Sequence, residues 1–416
     1  MPRPSAFRPW WAGLCAVLVS WALPSQAAGS GEAVQAQPVS VQSTPVARES
    51  AGSTTPGYDF DITDGLYATI TANSFPEPKF RDEDKVKLKP AGFAKDIEVR
   101  VLWQTEPRSL AVLVLGLSTR SKDKMAQLWK SYLYDAGFHV MTFDSPFLPA
   151  FSERARQGVA GNLIEEARLS ASLIAAFLED PKARGRVTQT GLVGISYGAT
   201  LALNIAKMSA ENKIGFRPQR VLAFSPPVKM ETAARMLDRF YAEDRWNYTL
   251  VELGGDLLDH KPVPKGQPVP FSASEMRAGI SAAFRLDLKE VLLWDNRFYK
   301  LGLLPKNDDE YTRDVAGTWT FTRFIEDMTA PYWEKKSTIH TAADLWAAGD
   351  VALLLKACPH AVHVVLAADD PMNDPAELTA LRASVEPSRL TILPYGGHMG
   401  YQRTRWVKEY VAKLFE

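Results

Sequence analysis

The stretch that most restricts how this chain can fold is residues 187–208, where VTQTGLVGI runs without a spacer into SYGATLALNIAKM. The first part is a largely apolar run of strand length, and in the second the apolar residues recur at helical spacing. At the junction stands Gly194-Ile195-Ser196-Tyr197-Gly198. A strand that turns at once into a helix brings two backbones so close that the flanking residues must lack a Cβ. The residue at the tip is forced into a strained conformation with its side chain projecting above the sheet. Two glycines around one serine meet that condition, so the chain must contain a buried strand that ends on a presented hydroxyl.

The same alternation recurs along the chain. DIEVRVLWQ (96–104) alternates like an edge strand, and SLAVLVLG (109–116) reads as a strand buried on both faces. KDKMAQLWKSYLYDAG (122–137) has helical periodicity and stops at Gly137, FHVMTFD (138–144) is a strand, and 159–180 is a long helix stopped by Pro181. RVLAFS (220–225) is the next strand. After a break come AVHVVLAAD (361–369) as a strand, a helix over 375–385, the strand RLTILPY (389–395) and an amphipathic closing helix WVKEYVAKLFE. Such alternation predicts an α/β fold with a mostly parallel central sheet flanked by helices and joined by right-handed crossovers. The break, residues 228–357, is helical in pattern and dense in aromatics, among them Phe284, Trp294, Trp319, Phe321, Phe324 and Trp333. It reads as a large, mainly helical cap inserted after the sixth strand of a domain that runs over 58–227 and resumes at 358–416. Most of its aromatics should be plain core and a few should line a pocket.

The beginning of the chain reads differently. Arg3 and Arg8 precede a 14-residue apolar run, Trp10 to Leu23, and Ser25-Gln26-Ala27 offers small residues for cleavage, which predicts a secretory signal over 1–27. The run is short of the roughly 20 residues of a membrane-spanning helix. Residues 28–57, rich in Ala, Ser, Gly, Gln, Pro and Thr, read as a flexible linker. Lys+Arg and Asp+Glu both total 48, so nothing in the overall charge points to nucleic acid or to a polybasic membrane patch. Cleavage after Ala27 would remove both early arginines and Cys15, leaving Cys358 alone and no internal disulfide.

A serine hydroxyl is a weak nucleophile and needs a general base that is itself oriented by an acid. After a strand-turn-helix serine the acid and the histidine follow in that order, in loops beyond two later strands. AVHVVLAA is followed by Asp369 and Asp370, and RLTILP by Tyr395, Gly396, Gly397 and His398. Asp370 precedes Pro371 at the loop bend and is the expected acid, Asp369 should end the strand, and Asp374 should cap the next helix. The glycines around His398, Gly396, Gly397 and Gly400, should let the ring approach the serine loop. Negative charge developing on a carbonyl oxygen calls for backbone donors, expected at Tyr197, next after the serine, and at Leu117 in LGLSTRS. Asp144 and Arg120 read as loop caps or surface groups. Cys358, His360 and His363 lead into a buried strand and lack the spacing of a metal site. No P-loop and no strand-borne GxGxxG occurs, so neither a metal nor another cofactor is expected.

GISYG, LAADDP and GGHMG, in that order and on those elements, resemble the α/β-hydrolase family over residues 95–416. SPPVKMETAARMLDRFY, FTRFIEDMTAPYW and ADDP are similar to its YheT-like esterases, which continue the serine motif with Gly-Gly where this chain has Gly198-Ala199. The resemblance implies a serine hydrolase that cleaves carboxylic esters through an acyl-enzyme, with Ser196, Asp370 and His398 as its triad and a small or lipid-like acyl substrate, and the signal over 1–27 makes it secreted or periplasmic. A serine peptidase or an acyltransferase would use the same three residues. A hydrolase-shaped binding protein without turnover would be expected to have lost one of them. The oligomeric state is left open.

Overall fold

The computed structural model describes residues 55–75, 78, 81–156, 158–243, 263, 268–305, 309–336, 341–358 and 361–415. The expected signal segment 1–27 and nearly all of the expected linker 28–57 lie outside the described residues, as do Trp246 and His360.

The elements follow one another as α1 (Gly65–Ile70), β1 (Asp84–Leu88), β2 (Ile97–Leu102), β3 (Arg108–Val114), α2 (Lys124–Asp135), β4 (His139–Thr142), α3 (Pro149–Ala155), α4 (Leu163–Leu178), β5 (Val187–Ile195), α5 (Tyr197–Ala210) and β6 (Arg220–Phe224). A helical block comes next: α6 (Met230–Glu243), α7 (Ala273–Phe298), α8 (Glu310–Gly317), α9 (Phe321–Arg323), a π-helical turn Phe324–Thr329, α10 (Ala330–Glu334), α11 (Ala342–Ala347) and α12 (Val351–Ala357). β7 (Val362–Ala367), α13 (Pro375–Ser384), β8 (Leu390–Leu393) and α14 (Arg405–Ala412) complete the fold.

The strands form one eight-stranded sheet in the order β1-β2-β4-β3-β5-β6-β7-β8. β1 and β2 pair antiparallel, as do β2 and β4, and every other neighbour is parallel. This is the mostly parallel sheet flanked by helices that the alternation predicted. The central strands are apolar throughout because both faces are covered. Leu110, Val112 and Val114 of β3 join the core beneath α4 and α5. Ala111 and Leu113, one residue out of phase, join Trp129 of α2 and Val407 and Val411 of α14 on the other face.

Three expectations are corrected. β2 is not the edge strand: β1, a short charged strand, DKVKL, supplies the edge, and β2 alternates because Ile97, Val99 and Val101 face the core while Glu98 and Arg100 face the other side. The long helix begins at Leu163 rather than at 159, because Gly158 and Gly161 take positive φ (104° and 92°) and Asn162 caps the helix by accepting from Glu165 N–H. The strand after the helical block ends at Ala367, so Asp369 lies in the loop with Asp370 instead of closing the strand.

β6 and β7 are adjacent and parallel, and the helices α6 to α12 lie between them in sequence. Among the described residues no helix is long and apolar enough to cross a membrane.

Candidate active site

The turn between β5 and α5 has the form the glycines required. Ser196 stands at φ 53°, ψ −124°, a region costing a non-glycine residue about 1–3 kcal/mol, held here by the surrounding structure. A Cβ on Gly194 would come within 2.5 Å of Ala199 Cα, and one on Gly198 would overlap the carbonyl oxygens of Val114 and Leu115. These obstacles are all backbone and cannot swing aside. Ser196 N–H donates to Phe224 O at 2.8 Å, which pins the tip to β6.

The three residues expected from three distant loops converge. Ser196 Oγ lies 2.8 Å from His398 Nε2, and His398 Nδ1 lies 2.9 Å from Asp370 Oδ2. Asp370 and His398 are buried, at 4% and 6% exposure, whereas Ser196 stays partly open. Asp370 also accepts from Met372 N–H at 2.9 Å through Oδ1, which fixes the carboxylate plane. With Nδ1 against a carboxylate acceptor, the ring proton belongs on Nδ1 and Nε2 is left to accept from the serine.

Asp369 faces away from this chain of bonds. Its Oδ1 accepts from Gly397 N–H at 2.8 Å while Oδ2 has no partner, and burial, partly offset by Gly397 N–H, pushes its pKa to about 6. Asp374 caps α13, accepting from Ala376 N–H at 2.7 Å and Glu377 N–H at 3.3 Å, as expected. Asp144 is a loop cap, taking the N–H and hydroxyl of Ser121. His363 is bonded to Ser388 O and Thr391 Oγ1, and Cys358 is a buried free thiol whose Sγ donates to Leu203 O.

The glycines beside His398 have a different purpose from the one expected of them. A Cβ on Gly397 would strike Gly65 O and Thr69, and one on Gly400 would lie 2.5 Å from Ala68 O. Gly397 and Gly400 make room for α1, and Gly396, where a Cβ would lie 2.7 Å from Tyr58 Oη, makes room for Tyr58; none of these neighbours belongs to the serine loop. In return Thr69 Oγ1 accepts from His398 N–H at 2.8 Å while donating to Gly65 O at 2.7 Å, and Gln402 Nε2 donates to Ala72 O at 2.7 Å. α1 therefore seats the histidine loop from 329 residues away in sequence, and nothing local to Thr69 announces it.

Ser196 and His398 open into an apolar cleft whose walls also include Leu117, Tyr197, Phe147, Pro227 and Met372 from the sheet side. The opposite wall comes from the helical block: the Met230 face of α6, Phe284, Phe321, Phe324 and Trp346. Trp319 and Trp333 are buried core, so the aromatics of that block divide between core and cleft. Tyr197 is the first residue of α5, where the N–H groups lack helical acceptors and the helix dipole is positive. The backbone before Leu117 passes close by, since a Cβ on Gly116 would lie 3.4 Å from Ser196 Cβ. Leu117 and Tyr197 both line the cleft into which Ser196 opens.

Two buried acids were not anticipated. Glu166 of α4 accepts from Tyr197 Oη–H at 2.7 Å and from Gly161 N–H at 2.8 Å, and burial, opposed by those two bonds, pushes its pKa to about 7. Asp295 of α7 accepts from Ala160 N–H at 3.0 Å. The neighbouring backbone is gripped from the helical block: Tyr299 Oη, just after α7, accepts from Gly158 N–H, Trp333 Nε1 of α10 donates to Val159 O, and Thr329 Oγ1 of the π-helical turn donates to Ala160 O. Residues 158–161 thus form a strap joining the helical block to Tyr197 through Glu166.

A sequence model of the alpha/beta hydrolase family matches residues 111–412. Among solved structures, the Pyrococcus furiosus esterase Pf2001 is 11% identical with a TM-score of 0.44, over 82% of this chain and 96% of that one. An esterase of Pyrobaculum calidifontis is 16% identical with a TM-score of 0.41, over 84% and 89%. A thermophilic esterase of Thermogutta terrifontis is 18% identical with a TM-score of 0.41, over 80% and 100%. No curated protein matches the sequence. With the family match spanning more than half of the chain, around a serine turn at the end of β5, this protein belongs to the alpha/beta hydrolase family.

Proposed function

We propose that the protein is a serine hydrolase of carboxylic esters, with Ser196 as nucleophile, His398 as general base and acid, and Asp370 as the orienting acid. The observation that carries this reading is the unbroken chain of two hydrogen bonds from Ser196 Oγ through His398 to Asp370, opening into an apolar cleft. Ser196 Oγ attacks the acyl carbon as its proton passes to His398 Nε2, and Asp370 stabilises the imidazolium without taking its proton. The tetrahedral oxyanion is held by the N–H groups of Tyr197 and Leu117. Collapse expels the alcohol, which takes the proton from Nε2 and leaves an acyl-enzyme. Water, deprotonated by the same nitrogen, then releases the acid and restores the serine. The sequence of residues 1–27 supports export, with cleavage after Ala27.

Labelling with a fluorophosphonate probe tests the nucleophile: wild type should label and Ser196→Ala should not. Assays on p-nitrophenyl esters beside aminoacyl amides test the reaction. Equal labelling of wild type and Ser196→Ala refutes the nucleophile, and turnover confined to the amides refutes the ester reading in favour of a peptidase.

A further inference from the structure

The walls of the cleft restrict the acyl group that Ser196 can accept, a step that rests on the ester reading. On α6 the cleft-lining residues are Met230, Ala233, Ala234 and Leu237, spaced i, i+3, i+4, i+7, so one face of the helix forms a continuous hydrocarbon stripe. Seven residues at 1.5 Å each make this stripe about 10 Å long. Phe284 and Phe324 stand among its neighbours. Two alanines occupy the middle of the stripe, where larger side chains would fill the space.

The chemistry of the lining is equally restrictive. Among the described residues the cleft is lined by no Lys, Arg, Asp, Glu, Asn or Gln. Its polar groups are Ser196 and His398, the Tyr197 hydroxyl, already given to Glu166, and the Trp346 indole N–H, itself shielded from solvent. A substrate bearing an ammonium or carboxylate on its acyl part would be desolvated there without a counter-charge. Away from those four groups, an aliphatic chain meets carbon and the Met230 and Met372 thioethers.

We propose that the acyl site takes an uncharged aliphatic chain of medium length, extending from Ser196 along the Met230–Leu237 stripe of α6. Chain length is then read by contact area, each methylene adding the same increment until the stripe is covered. At about 0.8 kcal/mol per buried methylene this is a rise in kcat/KM of roughly fourfold per carbon.

The test is a series of p-nitrophenyl esters from acetate to laurate on the full mature chain, with Ala234→Trp and Leu237→Ser measured beside wild type. In wild type, kcat/KM should climb from acetate to at least hexanoate before it levels. Ala234→Trp, which blocks the stripe, and Leu237→Ser, which breaks its apolarity, should each lower the octanoate-to-acetate ratio at least tenfold. A ratio of two substrates on one preparation is independent of how much of a variant is folded. A wild-type optimum at acetate, or ratios unchanged in both variants, overturns the acyl-chain proposal and leaves the ester reading standing. If no ester is cleaved and Ser196 does not label, the ester reading itself fails and the proposal falls with it.

Discussion

Asp295 tests how the helical block is seated on the sheet. It lies on α7, 1% exposed, with Oδ2 accepting from Ala160 N–H at 3.0 Å and Oδ1 without a partner. Burial above all, and then the nearby charge of Glu166, raises its pKa from 3.8 to about 8, against the lowering effect of Ala160 N–H. In the unfolded chain the same carboxyl releases its proton near 3.8. Between those two values the folded state holds one proton more than the unfolded state, so stability falls as pH rises. The stabilising contribution of the neutral acid is complete below the unfolded value, declines across this window and is gone above the folded value. Each pH unit is worth 1.36 kcal/mol, so at pH 7 folding has lost about 4 kcal/mol to keeping this one acid neutral.

Asp295→Asn keeps an oxygen for Ala160 N–H and carries no charge in either state. It places an amide NH₂ where Oδ1 now has no partner, at a cost of about 1–3 kcal/mol. The variant should therefore be more stable than wild type by about 1–3 kcal/mol at pH 7. Near pH 4, where wild type suffers little loss, the two should converge or wild type should lead. Urea unfolding of both proteins at several pH values between 4 and 8 reads this directly as a difference in slope. Glu166, whose pKa lies at about 7, contributes a residual slope in both. Parallel curves would refute the reasoning, because they would mean that Asp295 is already ionised in the folded protein.

The two adjacent aspartates of the acid loop should separate cleanly. Asp370→Asn leaves His398 Nδ1 facing an amide and should cost about 10³- to 10⁴-fold in kcat, whereas Asp369→Asn, which touches Gly397 N–H and not the ring, should cost less than tenfold; comparable losses would reassign the acid. Gly198→Ala should give no soluble folded enzyme, because its Cβ would overlap backbone carbonyls of β3 and the residue after it; circular dichroism and fluorophosphonate labelling at wild-type levels would contradict that steric account.

Much of the site was legible because its members sit where strands end. The sequence GISYG carries its own steric requirement, and the loops after β7 and β8 could be found from apolar runs alone. Asp370 and Asp374 were separable by local rules, one at a Pro-led bend and the other before Pro375 at a helix start. The glycines beside His398 were recognised as steric features but assigned the wrong neighbour. What approaches them is Tyr58 at Gly396 and Gly65 to Thr69 at Gly397 and Gly400, and a contact between residues more than 300 positions apart leaves no local pattern. β1 went unnoticed for another reason: DKVKL is short and charged, as an exposed edge strand should be, and carries little apolar signal.

Glu166 and Asp295 show where a signal existed and was not used. In α4 the buried stripe runs Leu163, Glu166, Ala167 and Ser170, spaced i, i+3, i+4, i+7, with Leu173, Ile174 and Phe177 continuing it. Glu165, a single residue away, turns about 100° around the helix and pairs with Arg168 at the surface. In α7 the same spacing gives Leu288, Val291, Leu292 and Asp295. An acid at a stripe position is carried into the core by its helix whatever its own preference, and must find donors there. The partners lay beyond reach of any pattern, because residues 158–161 form a loop placed by Tyr299, Thr329 and Trp333 from the other side of the cleft. Yet the two stripes alone imply that α4 and α7 each present a carboxyl to something that donates. One of those donors is the hydroxyl of Tyr197, the residue after the serine, so the seam that Asp295 makes with Ala160 continues through Gly161 and Glu166 to the start of α5.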